Sequence, residues 1–208
     1  MNILITCSLQ FEFNEARNQL NLTEITSKKD IPRIAKKENI TLLYTGIGKI
    51  NAMSSLFEHL SKNSYDLVID TGLAGSLNEK IEVKSIVICN QAIDFFADGY
   101  INQKVKFSEE FLKDLYSSIK ITNYIVGSIE TTVKNGYVKE QLIESEVDIV
   151  TWETSSIFKV CNQFNTNCLS IRAISDCCDE NTEVSFKENK VELCKILYNY
   201  LKILCKSV

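Results

Sequence analysis

The stretch Val147–Asp179 reads VDIVTWETSSIFKVCNQFNTNCLSIRAISDCCD. Val147, Ile149 and Val150 form an apolar run that leads into Thr151-Trp152-Glu153-Thr154. Ile157, Val160, Cys161 and Phe164 then recur at helical spacing. Cys168, Leu169 and Ile171 resume a strand that runs out at Ser175-Asp176. The order is strand, turn, helix, strand, loop. One carboxylate, Glu153, therefore sits where a helix begins, and another, Asp176, where a strand ends. On one edge of an α/β sheet these are the places where ligands bind. The same positions also suit a helix cap and a turn cap. Position alone leaves both readings open.

Outward from this stretch, strands and helices alternate. Asn2–Cys7 reads as a strand and Phe11–Leu20 as a helix. Lys37–Tyr44 closes in the strand ITLLY, and a helix follows through Asn51–Leu60. Asp66–Asp70 and Val83–Gln91 read as strands, Lys106–Ile119 as a helix and Tyr124–Ser128 as a strand. Lys139–Glu144 is short helix or coil, and Glu188–Lys206 is a long amphipathic helix. Such alternation predicts a mainly parallel central sheet covered by helices, in one domain over 1–208.

Composition narrows the function. Hydrophobic residues make up 45% and charged residues 24% of the 208, enough apolar content for a core. A net charge of −4 supplies no basic footprint for nucleic acid or anionic lipid. No apolar run reaches the roughly 18–20 residues of a membrane span. Met1–Ile5 lacks a basic leader region and reads as the first strand. The eight cysteines include no CxxC pair, and His59 is the sole histidine, so a metal site is not expected. They read as free thiols in a reducing cytoplasm.

Two glycine segments stand out. Thr45-Gly46-Ile47-Gly48-Lys49 carries only GxG, and Thr71-Gly72-Leu73-Ala74-Gly75-Ser76 only GxxG. Neither is a Walker or dinucleotide fingerprint, and no cofactor is implied. Both read as tight turns whose backbone can approach a small polar ligand.

Four segments together resemble the purine nucleoside phosphorylase/nucleosidase family, most of all its methylthioadenosine/S-adenosylhomocysteine nucleosidase branch. They are the opening strand with Glu12, the turn Thr45–Ala52, the turn Asp70–Gly75, and Glu153 with Arg172-Ala173-Ile174-Ser175-Asp176. The resemblance covers essentially the whole chain, in the family order. It implies a three-layer α/β/α sandwich of nucleoside phosphorylase type, acting as a homodimer on a small purine nucleoside. It also implies roles. Asp176 would contact purine N7 as general acid, and Glu12 would orient and deprotonate the attacking water. Glu153 would hold the ribose hydroxyls, and the backbone at Thr132-Val133 would face the base. Leu73, Ala74 and Gly75 would lie near the ribose and the water. Leu9, Trp152 and Ser175 join the substrate-binding positions. Arg172 either pairs with a site carboxylate or, as the expected role, forms a structural ion pair beside the site.

These residue types suit the chemistry. Breaking an N-glycosidic bond leaves oxocarbenium character on the sugar and negative charge on the departing purine. A carboxylic acid near N7 relieves the second, and a carboxylate on the ribose diol favours the first. Phosphorylases of this family place a glycine-rich, arginine-bearing loop just after the first strand. Here that loop is Ser8-Leu9-Gln10-Phe11, and Glu12 would repel phosphate, so hydrolysis is expected.

The chain departs from the nucleosidase branch in places. Leu73 stands where a small polar residue is usual, Thr132 where an aromatic stacks on the base, and Trp152 where methionine lies beside the sugar. Trp152 either restores stacking or fills the pocket as core. The alternatives are a futalosine hydrolase, a true phosphorylase, or a nucleoside-binding protein without turnover. Phe95–Phe107 is a candidate for part of the 5′ pocket.

Overall fold

The computed structural model describes residues 1–26, 32–95, 104–108 and 122–206. The opening apolar run becomes β1 (Ile3–Cys7), buried along its whole length. It is central because it is apolar on both faces: Ile3, Ile5 and Cys7 pack to one side and Leu4 to the other. β1 pairs in parallel with β4 (Ile40–Tyr44) and with β5 (Leu67–Ser76). β5 is the axis of the molecule. Leu67–Ala74 pair in parallel with β11 (Asn167–Asp176), whereas Gly75 and Ser76 pair antiparallel with β10 (Ile149–Thr151). The sheet thus forks along β5. One branch continues through β11 to β6 (Ile86–Cys89). The other runs through β10 to β9 (Val126–Ser128), β7 (Gln91–Asp94) and β8 (Val105–Lys106). On the far side of β4 lie β3 (Arg33–Lys37) and β2 (Thr23–Glu24), antiparallel at the rim.

Helices cover both faces. α1 (Gln10–Gln19) and α5 (Thr182–Lys206) bury Phe13, Ala16, Leu193, Leu197 and Leu201 against the Ile3/Ile5/Leu67/Ile69 face. α2 (Lys49–Leu60) and α4 (Thr154–Gln163) bury Ala52, Leu56, Ile157 and Phe158 against the Leu4/Val68 face. The short α3 (Tyr137–Glu144) closes a third cluster through Leu142. The architecture is three layers, with the sheet parallel at its centre and antiparallel at its rims.

Several boundaries differ from expectation. Thr71–Ser76, expected to turn, is the second half of β5, because both of its edges find partners in β11 and β10. Small residues there let three strands converge. Val83–Gln91, expected as one strand, splits at Asn90 into β6 and β7, which leave for different branches. The expected strand ITLLY is β4, and β3 before it was not expected: Glu38, at φ 53, turns the chain between the two. α5 begins six residues earlier than its apolar periodicity, since Thr182 and Phe186 face a cavity instead of the core. The helix expected over Lys106–Ile119 lies for its greater part outside the described residues, as do positions 96–103 of the candidate 5′ segment.

Candidate active site

A cavity of about 350 Å³ opens where β1, β5, β10 and β11 end. It is lined by Leu9, Glu12, Leu73, Ala74, Gly75, Thr132, Val133, Trp152, Glu153, Arg172, Ser175 and Asp176. The structure therefore brings every candidate residue named from the sequence to one pocket, of a size that suits a small ligand.

Glu12 lies in the first turn of α1, which starts directly after β1. Its side chain is 1% exposed. Oε2 accepts from the Leu9 amide at 3.0 Å and Oε1 from the Leu73 amide at 3.1 Å. Burial pushes its pKa up to about 7, against the pull of the Arg172 guanidinium and the two amides. Gly72 makes this arrangement possible. A Cβ there would stand 2.8 Å from Glu12 Oε1 and 2.6 Å from an Arg172 Nη, and its φ of +148° disfavours a side chain.

Arg172 is 3% exposed and pairs with Asp70, not with a pocket carboxylate. Its Nε donates to Ser170 Oγ at 2.9 Å, and Nη2 donates to Thr154 Oγ1 at 2.8 Å as well as to Asp70. Burial opposes its charge, and Asp70, Glu12 and Glu153 together outweigh that and raise its pKa. The structural ion pair is thus the one observed, though it stands across Gly72 from Glu12.

Glu153 immediately precedes α4, yet its carboxylate does not cap that helix. Oε1 accepts instead from the Gly48 amide at 2.8 Å. Gly46 and Gly48, at φ 83 and 91, turn the chain from β4 into α2 and present that amide. Burial raises the Glu153 pKa, and the Gly48 amide and Arg172 hold against it.

Asp176 ends β11. A register slip between Ile174 and Asp176 leaves Ser175 unpaired as a bulge and sets Asp176 opposite Gly75. Bulges of this kind re-aim side chains at the edge of a site. A Cβ on Gly75 would come within 2.9 Å of Asp176 Oδ1, so the strand approach requires glycine. Oδ1 accepts from the Cys178 amide and from Thr182 Oγ1, both at 3.1 Å, and Oδ2 lies 2.6 Å from Ser175 Oγ. Asp176 therefore does organise a turn, and it also faces the cavity.

Trp152 is 38% exposed and donates from Nε1 to the Thr131 carbonyl at 3.2 Å. Of its two expected places, the core is excluded: it stands at the cavity rim. Thr132 is exposed, while Val133 is buried beneath it. The sequence reading missed Ser8, Ile47, Cys178, Thr182 and Phe186, which also line the cavity, and Asp70 behind it. Thr182 and Phe186 are four apart at the head of α5, so an earlier helix start would have put them on one face. Asp70 carried no local signal, because its partner is 102 positions away. Among the described residues no group of three His, Cys, Asp or Glu could hold a metal ion.

Comparison with known proteins gives the family and the fold. A family model described as the phosphorylase superfamily matches residues 2–202. A 5'-methylthioadenosine/S-adenosylhomocysteine nucleosidase of Staphylococcus haemolyticus is 28% identical over 192 residues, covering 81% of this chain and 82% of the relative. One from Lysinibacillus sphaericus is 28% identical over 210 residues, covering 90% and 91%. Among solved structures, a Helicobacter pylori MTAN mutant with 5'-methylthioadenosine in its active site superposes with a TM-score of 0.87 at 20% identity, covering 100% of this chain and 99% of that one. The futalosine hydrolase of Helicobacter pylori strain 26695 superposes with a TM-score of 0.85 at 21% identity, covering 100% and 98%. With the family model running almost from end to end and the three-layer architecture shared throughout, the chain belongs to the phosphorylase superfamily.

Proposed function

We propose that the chain is an N-glycosyl hydrolase that releases the free base from a purine nucleoside of the methylthioadenosine/S-adenosylhomocysteine type. The observation that carries this reading is the convergence of three carboxylates from distant parts of the chain, Glu12, Glu153 and Asp176, on one cavity. Glu12 receives the proton of the attacking water, and its pKa of about 7 suits a general base at neutral pH. Glu153, steered by the Gly48 amide, accepts from the ribose hydroxyls and favours the cationic sugar. Asp176 gives a proton to the purine as the glycosidic bond breaks. Arg172 lies close enough to Glu12 to stabilise its ionised form but is itself held by Asp70. Relatives at 28% identity that bear the nucleosidase name support the reaction type.

The test is release of free adenine from methylthioadenosine with and without phosphate. Phosphate-independent release supports the reading; phosphate-dependent turnover to 5-methylthioribose 1-phosphate overturns it. A second reading has one observation in its favour: exposed Lys187 lines the same cavity, a cation placed for an acidic 5′ substituent such as that of futalosine. Hypoxanthine release from futalosine, with methylthioadenosine untouched, decides for it.

The reading extends to a homodimer. On α2, Ile50 is 80% exposed, with Met53 and Phe57 at 42% and 43% three and seven positions on, an apolar stripe next to the cavity-lining Ile47. Light scattering that returns a monomer at micromolar concentration removes this part.

A further inference from the structure

We propose that Thr182 is a positioning residue for Asp176, and that its hydroxyl decides which carboxylate oxygen delivers the proton to the leaving base. The inference rests on the reading of Asp176 as proton donor. Thr182 is the first residue of α5 and is 8% exposed. Its Oγ1 meets Asp176 Oδ1 at 3.1 Å, and the Cys178 amide meets the same oxygen at 3.1 Å. The amide can only donate, so it takes one lone pair of Oδ1. The Thr182 hydroxyl donates to the other, so both positions on Oδ1 are filled. Any proton that a ligand can reach is therefore on Oδ2.

Oδ2 has its own partner. Ser175 Oγ stands 2.6 Å from Oδ2 and 3.2 Å from the Ala74 carbonyl. A serine hydroxyl has one hydrogen for these two acceptors. While Oδ2 is protonated, Ser175 donates to Ala74. As the O–H bond on Oδ2 breaks and an N–H bond forms on the purine, the glycosidic electron pair passes to the base. Ser175 then turns its hydrogen onto Oδ2, keeping its own proton throughout. That bond forms only as charge develops on the carboxylate, and so favours the transition state over the ground state. Thr182 and the Cys178 amide hold Oδ1 still while this happens.

The experiment compares two substrates. Methylthioadenosine needs a proton on its leaving group, and a nitrophenyl riboside does not. Thr182→Val keeps the shape and removes the hydroxyl. Its kcat on methylthioadenosine should fall about tenfold to a hundredfold, the worth of a hydrogen bond to a charged group. Turnover of the nitrophenyl riboside should fall far less, and the turnover that remains also reports that the site has folded. Thr182→Ser should recover most of the loss. Equal losses on both substrates, or no loss on either, overturn the proposal. Asp176→Asn is run beside it. If that variant loses activity selectively on methylthioadenosine and Thr182→Val does not, the role of Thr182 alone is wrong. If Asp176→Asn is itself unselective, the proton-donor reading fails and takes this proposal with it.

Discussion

The buried Glu12 carboxyl ties activity and stability to pH in opposite directions. Its pKa is about 7 where an ordinary glutamate has 4.5, because a side chain that is 1% exposed has lost most of its hydration and burial penalises the charged form. A base must be ionised to take a proton from water. At pH 6 only about a tenth of the protein has that form, and at pH 5 about a hundredth. The value of kcat/KM should therefore fall about tenfold per pH unit below 7, with Glu153, raised in the same direction by burial, steepening the fall further down. Other groups facing Glu12 leave this window clear: Cys7, Cys194 and Tyr198 are all pushed upward by burial, and Arg172 stays charged. His59 is pushed down to about 4 by burial and is bonded to Tyr65, away from the cavity. Stability runs the other way. A carboxyl that binds its proton more tightly when folded contributes stability that is complete below about 4.5 and is lost as pH rises through about 7. The loss is of the order of 3 kcal/mol from a shift of this size. Glu12→Gln cannot ionise. It should lack turnover, yet its stability relative to the parent should grow between pH 5 and pH 8. The assays are kcat/KM from pH 5 to 8.5 on the nitrophenyl riboside, where no acid is needed, and denaturant unfolding of both proteins at the two pH values. A flat rate profile, or a stability gap that does not widen with pH, refutes the account of Glu12.

Three further outcomes follow from the same cavity. Asp176→Asn keeps the shape of the side chain and removes its proton; kcat on methylthioadenosine should fall on the order of a hundredfold or more, and far less on the nitrophenyl riboside. Glu153→Gln should weaken binding of a non-hydrolysable nucleoside analogue, read by calorimetry, because a charged acceptor is lost from the ribose hydroxyls, whereas Glu12→Gln should leave that binding intact. On the proposed placing of the sugar, Trp152, hung on the Thr131 carbonyl at the rim, would narrow that end, so Trp152→Met should shift the kcat/KM ratio from methylthioadenosine toward the bulkier adenosylhomocysteine; an unchanged ratio removes Trp152 from specificity.

What could be read from the sequence was local, and what could not was a matter of partners far along the chain. β1, α2, α4 and β11 announce themselves because each buries an apolar pattern of its own period, and the carboxylates at their ends are placed by that pattern. Thr71–Ser76 looks like a turn because its glycines and small residues fit one. Its extended form is imposed by β10 and β11, and no window around it contains either. The same holds for the charge behind the site. Asp70 ends a run of apolar strand residues and looks like punctuation. Only when β5 and β11 lie side by side does it become the counter-ion of Arg172, with Thr6 and Ser170 donating to it from the strands on either side. A buried pair of this kind stabilises little by itself, since desolvation offsets most of the attraction. Its consequence is positional. Held by Asp70, the guanidinium does not pair with Glu12 across Gly72, so the Glu12 carboxyl keeps its raised pKa, as the proposed role of a base requires. The glycine that looked like a turn signal is instead the gap across which the Glu12 carboxyl and the guanidinium face each other.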